Sequence, residues 1–200
     1  GVASLSLSPD GSRLVFVRSR VDRESMEYRS QLMSLPLPAG EPVPFTSGRQ
    51  DTAPKFSPDG KAIAFLRPDS GSRRQIWTIP TSGGEAVQLT HLPGGVIEFA
   101  WSPDVRSIAV VSDVGPDRPP DGHDPKRDPR VRVVRRLRYR DDAMGWRGDA
   151  FRHLFVVDCS TGESRQVTHG EGDDGSPAWS PDGGRIAFTS DRRPDRDLVF

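Results

Sequence analysis

Short apolar runs recur along the chain at a nearly regular interval. They are rich in β-branched and aromatic residues, which is typical of buried β-strands. The runs lie at residues 14–17, 62–65, 108–111 and 186–188. No segment has a convincing helical period longer than two turns, so the pattern predicts an all-β protein.

A tetrapeptide that begins with Ser-Pro-Asp shortly precedes each apolar run. It is Ser-Pro-Asp-Gly at residues 8–11, 57–60 and 180–183, and Ser-Pro-Asp-Val at 102–105. A type I turn favours Ser at its first position, Pro at its second and Gly at its fourth. The tetrapeptide therefore predicts a tight hairpin between antiparallel strands, and Val105 departs from the pattern.

Two further strands are predicted after each hairpin, which makes a unit of four. The third strand lies at 31–35, 75–79 and 153–157, and the fourth at 43–46, 87–90 and 165–168. The first three hairpins are spaced by about the 40–50 residues of a propeller blade, and the longer interval before the last one indicates an insertion. Four-stranded antiparallel units repeated around an axis form a β-propeller. We therefore predict a partial propeller ring of about three and a half blades.

The whole chain, residues 1–200, is predicted to be part of one propeller domain. It begins within a first strand and stops within a third strand, which predicts a segment of a larger protein. A ring that closes as a homo-oligomer is the alternative. The predicted blades are 1–47, 48–91, 92–169 with an insertion at 112–152, and an incomplete blade at 170–200.

The overall charge argues against partners that bind a whole chain electrostatically. Lys and Arg number 28, as do Asp and Glu, so the formal net charge is zero. We therefore expect neither nucleic acid nor an anionic membrane surface as a partner. No apolar run approaches the roughly 20 residues of a transmembrane helix. The single cysteine, Cys159, argues against a disulfide framework and a multi-thiolate metal site.

Motifs for catalysis and cofactor binding are missing from the sequence. It has no Gly-x-Ser-x-Gly nucleophile elbow, P-loop or Gly-x-Gly-x-x-Gly loop, and no His-x-x-x-His or Cys-x-x-Cys metal spacing. We therefore expect no catalytic residue, no cofactor and no metal ion in this chain. His153 opens a predicted strand, where packing explains it.

The predicted insertion concentrates positive charge. Residues 126–140 hold eight basic residues and one acid, Asp128. Three interpretations stay open. The stretch could form an extra strand with one charged face, line the propeller mouth and attract peptide carboxylates through arginine forks, or bind nucleic acid. The balanced charge of the whole chain counts against the last.

The tryptophans distinguish the insertion from the blades. Trp77, Trp101 and Trp179 are predicted to occupy equivalent strand positions in the blade cores. Trp146 lies in the insertion, and it is the one tryptophan that we consider for ligand contact.

The repeat resembles two groups of WD-like propellers. Residues 177–190, which begin Pro-Ala-Trp-Ser-Pro-Asp-Gly, are similar to repeats of the Tol-system periplasmic propellers and of the prolyl oligopeptidase family of serine peptidases. The segment between the third and fourth blades distinguishes the two groups. Its Arg-Tyr-Arg-Asp at 138–141 and His-Leu-Phe-Val-Val-Asp at 153–158 resemble the acylaminoacyl-peptidase and dipeptidyl-aminopeptidase branch of the prolyl oligopeptidases.

This resemblance implies a propeller that gates and orients short peptides for a C-terminal α/β-hydrolase domain outside this chain. That domain would carry the Ser-Asp-His triad, and it and short peptides are the expected partners. The implied substrate-facing residues are Arg138, Tyr139, Arg140 and Trp146. The alternative is a non-enzymatic Tol-like propeller that binds protein partners in the periplasm. One cysteine and no visible signal sequence lead us to expect the cytoplasm, with the periplasm as the alternative.

Overall fold

The described part of the chain is built from β-strands. The computed structural model describes residues 1–24, 26–115, 137, 139–141 and 145–195. In this part the strands form three four-stranded and two two-stranded antiparallel sheets. The structure confirms the predicted all-β fold of four-stranded antiparallel blades in an open, partial ring.

The first two blades each contain four consecutive strands, hydrogen-bonded in chain order. The first blade consists of β1 (Val2–Leu7), β2 (Arg13–Asp22), β3 (Glu27–Pro36) and β4 (Val43–Pro44). The second consists of β5 (Thr52–Phe56), β6 (Ala62–Pro68), β7 (Arg74–Pro80) and β8 (Val87–Gln88).

The third blade is interrupted by the insertion. It begins with β9 (Glu98–Trp101) and β10 (Ser107–Val114). A short hairpin of β11 (Arg140–Asp141) and β12 (Gly145–Trp146) follows, and β13 (Phe151–Asp158) and β14 (Ser164–Gln166) complete the sheet. The fourth blade is described as β15 (Asp173–Trp179) and β16 (Ile186–Asp191). The strands β10 and β13 thus take up both ends of the predicted insertion, 112–152.

The Ser-Pro-Asp turns share one hydrogen-bonded geometry. In the second blade, Gly60 N donates to Ser57 O over 2.9 Å, and Ser57 Oγ donates to Asp59 Oδ1 over 2.6 Å. The same hydroxyl accepts from Ala62 N over 3.0 Å, which closes the hairpin. The fourth turn residue has a positive φ, 71° at Gly60, in a region that favours glycine. Val105 adopts φ 64°, so a β-branched residue is strained there.

Apolar side chains pack between neighbouring blades. Alternate residues of β6 face opposite neighbours, because side chains alternate along a strand. Ile63 and Phe65 meet Val15 and Val17 of the first blade, whereas Ala64 and Leu66 belong to a cluster shared with the third blade. The members of that second cluster from the third blade are Phe99, Ile108, Val110 and Val157. Packing on both faces explains why the second strands are continuously apolar.

Tryptophans in the first strands tie neighbouring blades together. Trp101 Nε1 donates to Lys55 O over 3.2 Å, and Trp179 Nε1 donates to Ala100 O over 3.1 Å. Trp77 lies in β7, a third strand, so the predicted equivalence of all three tryptophans is wrong. Strand order within the blade, not residue type, decides which positions correspond.

The two ends of the blades differ in what they carry. The Ser-Pro-Asp turns and the connections from third to fourth strands lie at one end, which we name the turn end. The β2–β3, β6–β7 and β10–β13 connections and the links between blades lie at the other, which we name the insertion end. This division follows from the antiparallel strand order.

Candidate substrate-facing insertion

The insertion returns to the third blade through the β11–β12 hairpin. Arg140 pairs with Trp146 across the two strands. At the base, the backbone N–H groups of Arg147 and Gly148 donate to Tyr139 O over 2.9 and 3.1 Å. The fold therefore brings three of the four predicted substrate-facing residues into one hairpin.

The predicted site residues are placed to different extents. Tyr139 is exposed, at 37% of its full accessible surface. Arg140 and Trp146 face each other as backbone partners. Arg138 and residues 116–136 of the insertion lie outside the described residues. Contact of these four residues with substrate stays a prediction.

A buried arginine fixes the hairpin to two blades. Arg147 donates to both carboxylate oxygens of Asp173 over 2.8 and 3.1 Å and to Asp113 Oδ1 over 3.3 Å. Asp113 lies near the end of the second strand of the third blade, and Asp173 begins β15 of the fourth blade. Arg147 is only 8% exposed. One guanidinium thus joins the insertion, the third blade and the fourth blade.

Electrostatics keeps Arg147 charged in this buried place. Burial acts to lower the pKa of Arg147, but the hydrogen bonds and charges of Asp173 and Asp113 outweigh it and raise the pKa. Asp173 Oδ1 also accepts from the backbone N–H of Arg152 over 2.9 Å. The sequence alone does not reveal this cluster, because its members are far apart in the chain and no spacing marks them.

A second buried carboxylate lies at the same end, between the third and fourth blades. Arg192 Nη2 donates to both carboxylate oxygens of Asp174 over 2.8 and 3.0 Å, and Ser190 Oγ donates to Asp174 Oδ1 over 2.6 Å. His153 Nδ1 lies 3.2 Å from Asp174 Oδ2. Burial acts to raise the pKa of Asp174, but hydrogen bonds from Ser190, Thr168, His153 and Arg192 lower it overall.

The Ser190, His153 and Asp174 side chains do not form a catalytic triad. In a triad the serine hydroxyl bonds to the imidazole, which takes its proton. Here the Ser190 hydroxyl donates to the Asp174 carboxylate. His153 is buried, at 4% exposure. The network therefore joins two blades, which agrees with a packing role for His153.

The first and second blades are joined by a related network. Asp51 is completely buried and accepts from Thr46 Oγ1 over 2.5 Å. Arg67 Nε and Nη2 donate to its two oxygens over 2.7 and 3.0 Å. The Arg67 guanidinium also lies 5.1 and 5.0 Å from the Phe65 and Trp77 ring centres, which adds cation–π attraction.

A cleft of about 680 Å³ opens beside this network at the insertion end of the second blade. Its size suits a small peptide, since ligand sites commonly span about 300–1,000 Å³. Its lining combines charged, amide and aromatic groups. Among the lining residues are Arg67, Asp69, Arg73, Gln75, Trp77 and His91.

Other candidate chemistry is limited in the described residues. Burial is the main reason why the pKa of the Cys159 thiol is raised to about 12. The charges of Asp158 and Asp104 raise it further. The thiol therefore stays protonated and is a poor nucleophile. Within the described ranges, no three His, Cys, Asp or Glu residues are grouped so as to hold a metal ion. The described residues also contain no helix long and apolar enough to cross a membrane.

Comparison with known proteins finds similarity to peptidases and to TolB proteins. No protein-family model matches the chain. An uncharacterized peptidase of Bacillus subtilis, YuxL, is 34% identical over 186 residues, which cover 92% of this chain and 28% of that protein. The homologues that are named peptidases are of the prolyl oligopeptidase family. This chain spans less than a third of the Bacillus relative.

A solved structure supports the propeller fold, and a second relative comes from the TolB group. The acylaminoacyl peptidase of Pyrococcus horikoshii superposes with a TM-score of 0.67 at 19% identity, covering 89% of this chain and 26% of that one. A TolB homolog of Chlorobium chlorochromatii is 35% identical over 164 residues, or 77% of this chain and 35% of that protein. The match to the peptidase extends over more of the chain.

Proposed function

We propose that this chain is the part of a propeller that admits and orients short peptides for a serine-peptidase domain outside the chain. The expected peptidase is of the acylaminoacyl- or dipeptidyl-peptidase type, and it acts in the cytoplasm. Its own domain would supply the serine nucleophile, the histidine base and the oxyanion hole. This chain would supply selection by size and charge.

The anchored insertion is the observation that carries the proposal. Arg147 fixes the hairpin of Tyr139, Arg140 and Trp146 at the insertion end. The cleft beside Trp77 lies at that same end. A basic, aromatic segment anchored at the same end of the propeller as a peptide-sized cleft is suited to binding carboxylate and backbone groups of a peptide.

The test uses the full-length protein that contains this chain. The double variant Arg138→Ala, Arg140→Ala is compared with wild type on a single-aminoacyl substrate and on peptides of increasing length. We expect kcat/KM for the longer peptides to change by about tenfold, since each charged contact to a peptide contributes about that factor. The single-aminoacyl substrate should be affected less.

A matched control removes the same charge from the other end. Arg106 and Arg185 are exposed residues beside turns at the turn end. The variant Arg106→Ala, Arg185→Ala should leave all kinetic constants near wild type. Unchanged kinetics of the insertion variant across the whole peptide panel would refute the proposed role of these residues.

A non-enzymatic scaffold in the periplasm is the second candidate. The TolB homolog supports it, because it matches 77% of this chain. The two candidates differ in activity. Peptide hydrolysis by the full-length protein favours the peptidase, whereas periplasmic localisation without hydrolysis favours the scaffold. This chain alone should hydrolyse neither aminoacyl nor acyl-peptide substrates under either candidate.

A further inference from the structure

An arginine-lined hollow lies at the insertion end of the first blade. Its volume is about 140 Å³. Arg18 and Arg20 of β2, Arg29 of β3 and Arg49 of the link to the second blade line it. Arg20 lies directly opposite Arg29 in the antiparallel register. Like charges placed opposite each other are unfavourable unless an anion compensates them.

The chain itself compensates little of this charge. Arg29 forms an ion pair with Asp22. Within the described residues, Arg18, Arg20 and Arg49 have no side-chain hydrogen bond or ion pair. Arg18, Arg20 and Arg49 are all exposed. Three guanidinium groups are therefore free to take an external anion.

The second blade shows which anion fits this position. Arg18 and Arg67 occupy the same place in their blades, ten residues after the Ser of the turn. Arg67 is held by the Asp51 carboxylate in a two-point contact. In the first blade, the residue that pairs with Arg18 is Val2. Within the described residues, Arg18 therefore has no counterpart of the carboxylate that Asp51 provides for Arg67.

The spacing of the arginines favours a chain of carboxylates over a single ion. Arg18 and Arg20 are two residues apart on one face of a strand, so their Cα atoms are about 6.6 Å apart. Alternate side chains of an extended peptide have the same spacing. We propose that Arg18, Arg20 and Arg49 form a binding site for an extended acidic peptide segment. This site is independent of the proposed peptidase activity.

Binding is tested on the full-length protein that contains this chain, by calorimetry at low salt. The probe is an acetylated, amidated peptide with glutamates at alternate positions, and its control has glutamines there. We expect the glutamate peptide to bind and the glutamine peptide not to bind. Arg20→Gln and Arg49→Gln should each weaken binding by about tenfold. Arg106→Gln makes the same charge change at the turn end. Its affinity for the glutamate peptide should stay within about twofold of wild type.

A further variant adds a carboxylate of the protein itself to the site and keeps all of the arginines. Val2→Asp places a carboxylate opposite Arg18, as Asp51 is placed for Arg67, and should weaken peptide binding by about tenfold. Val87→Asp is its matched control, since Val87 and Val2 are 65% and 66% exposed. Val87→Asp should bind the peptide as wild type does.

Several results would overturn the site. The first is that the glutamate peptide does not bind. The others are that Arg106→Gln and Arg20→Gln weaken its binding equally, or that Val2→Asp and Val87→Asp do. Competition by inorganic phosphate at the same concentration as the peptide would reduce the site to a simple anion site and overturn the peptide assignment. Unchanged thermal unfolding of each variant confirms that it is folded.

Discussion

The turn end and the insertion end use the same residue types, but the first depends on local hydrogen bonds and the second on ion pairs between residues that are distant in the chain. At the turn end, each aspartate accepts hydrogen bonds from residues two positions away in the chain, as Asp59 does from Ser57 and Lys61. At the insertion end, Asp51 and Asp174 are completely buried and bind arginines 16 and 18 residues away. The first arrangement repeats because it is local, whereas the second can vary from blade to blade.

This difference indicates where specificity can arise. The junction between the first and second blades has Asp51, and the junction between the third and fourth has Asp174. The junction between the second and third blades has Val96 at the same position. There, Thr90 Oγ1 donates to Gln75 Oε1 over 2.8 Å, so a neutral amide takes the place of a carboxylate. The insertion end thus accepts different chemistry within one fold, and the turn end keeps the fold constant.

Removal of Asp51 should have the largest effect on stability. Asp51→Ala leaves Arg67 and Thr46 without their buried acceptor, so the free energy of unfolding should fall by about 3–5 kcal/mol. Asp59→Ala at the turn end removes exposed hydrogen bonds and should cost about 1 kcal/mol. Urea unfolding measures both. Equal losses would contradict the distinction between the ends.

Conversion of the ionic junction to the neutral type should cost less stability than the sum of its two substitutions made singly. Val96 and Ser112 of the third blade correspond to Asp51 and Arg67 of the second. In a cycle of Asp51→Val and Arg67→Ser, the second change should cost less after the first, with a coupling of about 2 kcal/mol. Urea unfolding of the four proteins gives the coupling. Additive losses would show that the two side chains are energetically independent.

The strained turn of the third blade offers a smaller, opposite effect. Val105→Gly relieves a positive φ of 64° and should stabilise the protein by about 1 kcal/mol. Gly60→Val introduces the same strain and should destabilise it by at least as much. Thermal and urea unfolding check both changes. No difference between the two variants would mean that turn conformation contributes nothing measurable.

The pH dependence of the turn end should be the smallest effect. Hydrogen bonds from Ser8 and Ser12 lower the pKa of Asp10 to about 2, against about 3.9 in an unfolded chain. The unfolded state therefore binds the proton first, and the stabilisation is complete above about pH 4 and lost as the pH falls towards 2. Asp10→Asn should lose less stability than wild type over this interval. An identical pH profile for the two proteins would contradict the assignment.

The predictability of the two ends follows from the same contrast. The turns could be predicted because Ser57, Asp59 and Ala62 interact within five residues. The inter-blade packing could be predicted because the second strands are apolar on both faces. Arg147 and Asp173 are 26 residues apart and meet only once the blades are stacked, so no local pattern revealed them.

One signal at the insertion end was available in the sequence. Asp51 and Asp174 each lie six residues before the Ser of a Ser-Pro-Asp turn, so alignment of the blades on these turns brings them together. The resemblance to a family singled out Tyr139, Arg140 and Trp146, but it did not indicate the hairpin that contains them. The repeat has no counterpart of the insertion, so periodicity could not indicate its structure.

The most direct test of the account changes Arg147 in the full-length protein. Arg147→Ala removes the anchor of the insertion without touching the proposed substrate-facing residues. We predict that kcat/KM for peptides falls by about tenfold, mainly through KM, while that for a single-aminoacyl substrate changes little, because only the longer substrates depend on the position of the insertion. Parallel losses for all substrates, or no change for any, would contradict a role of the insertion end in peptide selection.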